Sequence, residues 1–306
     1  MSKLINELNF LNYGILSYKN LVSKDKCVSL KKKIKLPREI SRIFSSEINY
    51  QKNPELRKTN PGKGVKNLAE ELDLNFIEKN KDVIEILNSV LGKNYEIILK
   101  KFIIGVPKNK IPSWILKITS KELVGNLNKF ILPKFRKSTY FYGIDYHMDY
   151  IDVPNNKGDF ITLYVYLDNV TKNSSPLNVV IGSHKFGATK FPHNIKKFKN
   201  KISYATNSKN KEIFKIKQLT GSAGDLNLWS CYSLHGTSPM KAKKPRISLR
   251  YLIKSKNLKN NSLINRLRNN IKYKKIIKTT RTDIKKKQLL NKKIEYAIKS
   301  KNRVLV

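Results

Sequence analysis

The chain has 306 residues, 40% of them hydrophobic, with 15 Tyr and 12 Phe, enough to bury a substantial core, so a disordered or fibrous chain is excluded. Its formal charge of +41 fits either a solvated basic surface or an acidic partner, such as a phosphorylated substrate, a nucleic acid or a membrane face, and does not choose between them. Two cysteines, Cys27 and Cys231, exclude a disulfide framework, and no run approaches a signal peptide's apolar core or the roughly 20 apolar residues of a membrane span; the expectation is a cytoplasmic protein.

Along the chain, Tyr13-Gly14-Ile15-Leu16 reads as a short strand, followed by a helix that starts near Ser23 with Asp25 in its first turn. Cys27, Leu30 and Ile34 then fall at helical spacing, which makes Cys27 a packing residue. Pro54, Pro61, Gly62 and Gly64 mark residues 46–66 as a loop, and 67–91 reads as a helix with Leu68, Leu72, Ile77, Val83, Ile86 and Val90 on its apolar side. From Tyr95 the pattern turns strand-like through Ile104. Residues 107–137 form a basic insertion, too long for a hairpin loop and a lid candidate. Strands follow at 138–150 and 160–168, where Thr162, Tyr164 and Tyr166 alternate with Ile161, Leu163, Val165 and Leu167. Residues 186–212, packed with Lys and Asn, read as a second long loop, before strands near 213–219, 225–232 and 246–254. Residues 254–306 carry 18 Lys or Arg against Asp283 and Glu295 and read as a basic extension of two amphipathic helices, Leu263, Leu267 and Ile271 on one and Leu290, Ile294 and Ile298 on the other.

The chemistry concentrates in His147-Met148-Asp149 and in His235, with Arg246 eleven positions beyond it. Side chains two apart on a strand share a face, so His147 and Asp149 can bind one metal ion together, and His235 from another strand completes the set. Two imidazoles and one carboxylate on one face of an octahedron leave three positions open, the arrangement used by non-haem Fe(II) oxygenases. Gly236, Pro239 and Pro245 turn the chain and return it as a strand bearing Arg246 and, two residues on, Ser248. A guanidinium grips a carboxylate through two parallel hydrogen bonds, so Arg246 and Ser248 are expected to hold the distal carboxylate of 2-oxoglutarate.

Together with Phe10-Leu11-Asn12-Tyr13-Gly14, Pro176-Leu177-Asn178-Val179-Val180-Ile181-Gly182-Ser183-His184-Lys185 and Gly224-Asp225, these residues resemble the phytanoyl-CoA dioxygenase family of Fe(II)/2-oxoglutarate oxygenases over about 8–253. Two departures, Ile181 where the family has Pro and Ser175 where it has Gly, touch turns and not chemistry. The resemblance implies a mainly β fold with flanking helices, a double-stranded β-helix or jelly-roll core, spanning 1–253 with the N-terminal helices and the insertion included. It implies that His147, Asp149 and His235 bind Fe(II), that Arg246 and Ser248 bind 2-oxoglutarate, and that O2 is consumed with release of succinate and CO2, ascorbate serving as reductant. Because related halogenases carry a small residue at the position of Asp149, the carboxylate points to hydroxylation.

Thr162 is a further candidate on the co-substrate side, and Tyr140, Tyr142, Tyr164 and Arg250 are candidate substrate contacts, Arg250 alternatively a structural ion pair. Unbroken alternation would put Trp229, Cys231, Ser233 and His235 on one face, with Cys231 read as packing; His184 reads as a turn or supporting residue and His193 as loop surface. The expected substrate is a small or carrier-linked metabolite, the basic surface favouring an anionic one. A nucleic-acid substrate is the runner-up, but the Arg-x-Asn-x5-Arg signature of alkylation-repair demethylases is absent. A non-catalytic binding protein on the same fold is the other alternative, against which the intact triad and Arg246 stand.

Overall fold

The computed structural model describes residues 3–54, 67–120, 122, 124–153, 157–188, 193–205 and 211–272. Twelve strands run through them: β1 (Ile15–Tyr18), β2 (Tyr95–Gly105), β3 (Val124–Asn126), β4 (Thr139–His147), β5 (Phe160–Tyr166), β6 (Leu177–Val180), β7 (Asn194–Phe198), β8 (Lys201–Ala205), β9 (Lys211–Leu219), β10 (Leu226–Ser230), β11 (His235–Thr237) and β12 (Arg246–Ser255). Their hydrogen-bonded order is β1-β10-β5-β12-β2-β4-β11-β6-β9-β8-β7, with β3 beside β4. Only β2 and β4 run parallel among these strand pairs. That seam divides the order into β10-β5-β12-β2 on one side and β4-β11-β6-β9 on the other, the two halves of a jelly-roll.

Period-two alternation explains how the halves close. On β5, Tyr164 and Tyr166 point inward and pack with Ile15, Ile103, Leu177, Val179, Leu219 and Trp229 in a cluster fed by both halves. Ile161, Leu163 and Val165 point the other way, into a larger core with Leu226, Leu228, Leu249 and Tyr251 that the helices cover. The same alternation on β12 turns Arg246, Ser248 and Arg250 inward.

The helix Lys24–Lys33 starts as its sequence dictates, with the Ser23 hydroxyl accepting from the Lys26 amide at 3.3 Å and Cys27 and Leu30 buried. The stretch 67–91 is not one helix but three, Leu68–Glu71, Asn75–Glu78 and Lys81–Leu91. Asx caps cut it: Asp73 accepts from the Asn75 amide, and Asn80 from those of Asp82 and Val83. An N-terminal helix, Lys3–Tyr13, precedes β1 and has no counterpart in the sequence reading. The expected 186–212 loop contains β7 and β8, a hairpin extending the sheet beyond β9. Its lysines conceal the period: Ile195, Ile202 and Tyr204 are buried while Lys196, Lys201 and Phe198 face solvent.

Residues of the insertion are packed rather than draped. Ile111, Ile115, Leu127, Phe130 and Ile131 are buried, the Trp114 and Phe130 rings lie edge-to-face at 5.4 Å, and the Ser45 amide donates to the Phe130 carbonyl. After β12, the helix Leu263–Asn269 buries Leu263, Ile264 and Leu267, and Arg266 meets Glu7 of the N-terminal helix at 3.1 Å. The second helical stretch expected in the tail, around 290–298, lies outside the described residues. No described helix is long and apolar enough to cross a membrane.

Candidate metal centre and co-substrate site

β4 ends at His147, but Met148 keeps an extended backbone (φ −110°, ψ 136°), so the alternation carries through to Asp149, the first residue of a 3-10 turn. Met148 points away into the larger core. β11 pairs with β4 so that His235 lies directly opposite His147, and the two imidazole centroids are 4.4 Å apart. One ligand atom from each of His147, Asp149 and His235 can be chosen so that all lie within 4.8 Å of one another, and all three residues are buried.

The imidazoles are held in the tautomer that a metal needs. Nδ1 of His147 lies 3.0 Å from the Asp145 carbonyl, and Nδ1 of His235 lies 2.9 Å from the Ser233 carbonyl. A carbonyl only accepts, so each Nδ1 carries the proton and each Nε2 presents its lone pair to the space beside Asp149. Burial, reinforced by His235, pulls the His147 imidazole down to about 4, which keeps it neutral.

Asp149 is the most heavily supported residue of the site. Its Oδ2 accepts from the Trp229 indole at 2.9 Å and from the Thr162 hydroxyl, and its Oδ1 accepts from Arg250, which also reaches Asp152 at 2.7 Å. Burial alone pushes its carboxyl up, but the Arg250 guanidinium, the two imidazoles and the Thr162 hydrogen bond together hold it well below the usual carboxylate range. The group is therefore an ionised ligand oriented before any cation arrives. Two imidazoles that present Nε2 and one carboxylate suit iron with open positions.

The co-substrate side offers the complementary feature. Arg246 and Ser248 face inward, and Nε and Nη1 of Arg246 and the Ser248 hydroxyl are buried with no partner among the described residues. A buried guanidinium left unpaired is costly, and its fork fits one carboxylate, so these orphaned atoms fit the distal end of 2-oxoglutarate. A small cavity shared by Arg246 with His147, Asp149 and His235 is lined also by Ile103, Phe141, Ile144, Leu177, Tyr164 and Arg250.

Several expected contacts fall elsewhere. Tyr140 and Tyr142 lie on the outer face of β4, where the Tyr140 hydroxyl donates to the Phe135 carbonyl; Phe141 takes the inner face. Thr162, expected to touch the co-substrate, gives its hydroxyl to Asp149. Tyr164 does line the cavity, 5.1 Å from the Trp229 ring, and Arg250 lines it while paired with Asp149 and Asp152. None of the residues lining it comes from 107–137. Cys231 does not share the face of Trp229 and His235, because β10 stops at Ser230 and the Ser233 amide turns back to the Ser230 carbonyl; Cys231 packs in the larger core. His184 is buried in a turn with Nε2 at 3.1 Å from the Leu11 carbonyl, and His193 is half-buried, edge-on to Tyr204 at 5.6 Å. Trp229, whose indole donates to Asp149, is a functional residue that sequence alternation does not reach from His235, because β10 ends at Ser230.

Comparison with known proteins agrees with this geometry. The family model for phytanoyl-CoA dioxygenase matches residues 10–248. Among solved structures, the non-haem α-ketoglutarate-dependent epimerase SnoN from nogalamycin biosynthesis is similar at 11% identity, with 82% of each chain covered and a TM-score of 0.51. SnoN in complex with Fe3+, α-ketoglutarate and nogalamycin RO gives the same identity and TM-score, covering 82% of this chain and 83% of that one. At such identity the likeness speaks for the jelly-roll fold. No curated protein matches the chain. The family match spans His147, Asp149, His235, Arg246 and Ser248, and the chain belongs to the phytanoyl-CoA dioxygenase family.

Proposed function

We propose that the protein is an Fe(II)/2-oxoglutarate-dependent hydroxylase of a small or carrier-linked anionic metabolite. The observation that carries this reading is the pairing of a preorganised His147–Asp149–His235 set with the orphaned guanidinium atoms of Arg246 in the same cavity, the unpartnered Ser248 hydroxyl lying two residues on along β12. A scaffold protein has no need of an unpaired buried guanidinium, whereas a co-substrate carboxylate satisfies it.

His147, Asp149 and His235 would hold the iron, and Arg246 with Ser248 would fix the distal carboxylate of 2-oxoglutarate so that its other end reaches the metal. Iron and 2-oxoglutarate together supply an oxidant from O2, with 2-oxoglutarate leaving as succinate and CO2. The protein's share is positioning. Trp229 and Thr162 fix one oxygen of Asp149, Arg250 fixes the other, and the apolar walls of Ile103, Phe141, Ile144 and Leu177 exclude water from the reacting region. A carboxylate at position 149, where related halogenases carry a small residue, favours hydroxylation.

The direct test is succinate release by purified protein given Fe(II), ascorbate, O2 and 2-oxoglutarate, with metabolite pools screened for stimulation and for products sixteen mass units heavier. Slow release without added substrate is expected from the wild type and none from Asp149→Ala; equal release from both sinks the reading.

A further inference from the structure

Lys100 and Lys101 are neighbours on β2 with opposite surroundings. Lys100 points to the helical side, where its ammonium lies 3.0 Å from Glu78 and 3.7 Å from Glu70. Lys101 takes the inner face, because β2 pairs with β12 so that Lys101 lies opposite Arg250, Ile103 opposite Ser248 and Gly105 opposite Arg246. Residues directly opposite in an antiparallel pair project from the same face. Lys101 is half-buried, and burial together with the Arg250 charge lowers its amine to about 8 against the opposing pull of Asp152 and Asp149. Asp149 and Asp152 are taken by Arg250, and no described carboxylate lies within ion-pair distance of Lys101.

Lys101, Arg246 and Arg250 lie on the inner faces of β2 and β12, and the two carboxylates that act on Lys101, Asp149 and Asp152, both pair with Arg250. Fe(II) and dianionic 2-oxoglutarate would together add no net charge, so loading the site would leave Lys101 without a carboxylate of its own. An unpaired ammonium in a half-dry cleft is unfavourable unless an anion arrives to meet it.

We infer that Lys101 is a specificity-determining residue that receives an anionic group, carboxylate or phosphoryl, of the substrate beside the metal. The inference rests on the proposed function and narrows its substrate class. The four-carbon stem of lysine places a point charge without demanding planar geometry, so it selects for charge rather than for one anion's shape.

The test uses the full chain loaded with Mn(II) in place of iron and with 2-oxoglutarate, and two probes, inorganic phosphate followed by 31P relaxation and trifluoroacetate followed by 19F relaxation. Paramagnetic enhancement falls off steeply with distance, so it reports anions at the metal cleft and not those on surface lysines. The wild type is expected to give saturable enhancement with at least one probe, the stronger response separating phosphoryl from carboxylate. Lys101→Met is expected to weaken that binding by roughly tenfold or more, the loss of a charge-assisted contact, while Lys101→Arg retains it. Water-proton relaxation by Mn(II) and calorimetry with 2-oxoglutarate should be unchanged in both variants. Enhancement that is equal in Lys101→Met, meaning an adventitious ion only, or absent with both probes in the wild type, overturns the assignment while leaving the metal site standing. If the wild type takes up neither Mn(II) nor 2-oxoglutarate, the proposed function falls and the assignment with it.

Discussion

The indole nitrogen of Trp229 donates to Oδ2 of Asp149 at 2.9 Å, so a residue buried in the barrel interior orients the carboxylate of the metal set. The Thr162 hydroxyl converges on the same oxygen from β5, opposite Trp229 in the β10–β5 register. Removing either donor, by Trp229→Phe or Thr162→Val, keeps the shape and frees the carboxylate to turn. Each variant is expected to bind Fe(II) about 10- to 100-fold more weakly, measured by metal titration, and the double variant to lose less than the product of the two because both act on one atom.

Arg246→Met should leave metal affinity intact and weaken 2-oxoglutarate binding by about 10- to 100-fold, since a charge-assisted bidentate contact is lost. Arg246→Lys should recover only part of the loss, an ammonium being unable to reproduce the fork. Calorimetry of 2-oxoglutarate binding to the Mn(II)-loaded protein separates this from a folding defect. Unchanged affinity in Arg246→Met would remove Arg246 from the co-substrate site.

Gly14 has φ +73°, and a Cβ there would sit 2.4 Å from Nδ1 of His184 and 2.7 Å from the Ser233 hydroxyl. Gly14→Ala therefore combines a left-handed backbone with a clash against two buried polar groups. A loss of about 2 kcal/mol or more is expected from denaturant unfolding. The Gly14 carbonyl also accepts from the Ser233 hydroxyl, so movement of the glycine would reach the turn that carries His235.

Burial pushes the His184 imidazole down to about 4, partly opposed by its hydrogen bond to the Leu11 carbonyl. The folded protein thus keeps this group neutral where the unfolded chain, near 6.5, takes up a proton. Stability should be complete above about pH 6.5 and decline as pH falls toward 4, by about 3 kcal/mol for this residue alone. His184→Gln keeps a donor for the Leu11 carbonyl without titrating. The difference in unfolding free energy between wild type and variant should shrink across that range; a pH-independent difference would show that His184 does not titrate as described.

Much of the site could be read from the sequence because strand alternation is a strict rule over short distances. His147 and Asp149 are two apart, and counting back by twos from His147 reaches Phe141, the residue that does line the cavity. Tyr140 and Tyr142, expected there for their hydroxyls, have the wrong parity. Alternation fails across breaks: it could not be carried from Trp229 to Cys231, because β10 ends at Ser230. The hairpin of β7 and β8 was hidden by lysines occupying its outer face, and the break before Lys81 by an Asn cap that tertiary context favoured over a continuous helix. The insertion 107–137 reads as a lid candidate on its length alone, and length does not show that Ile115, Leu127 and Phe130 are buried within it. Arg250 admitted two readings in sequence, and only the positions of Asp149 and Asp152 show its ion pairs.

β1 lies at the edge beside β10, with Ile15 opposite Trp229, and the bond from Ser233 to Gly14 joins residues 219 positions apart. The Asp149 carboxylate accepts from Trp229, and Trp229 pairs with a strand contributed by the opposite end of the chain. Closing so long a loop is entropically slow, so the pairing belongs to the late steps of folding. The His147–Asp149–His235 set is then expected to be complete only after residues beyond 229 have emerged and the first strand has been captured.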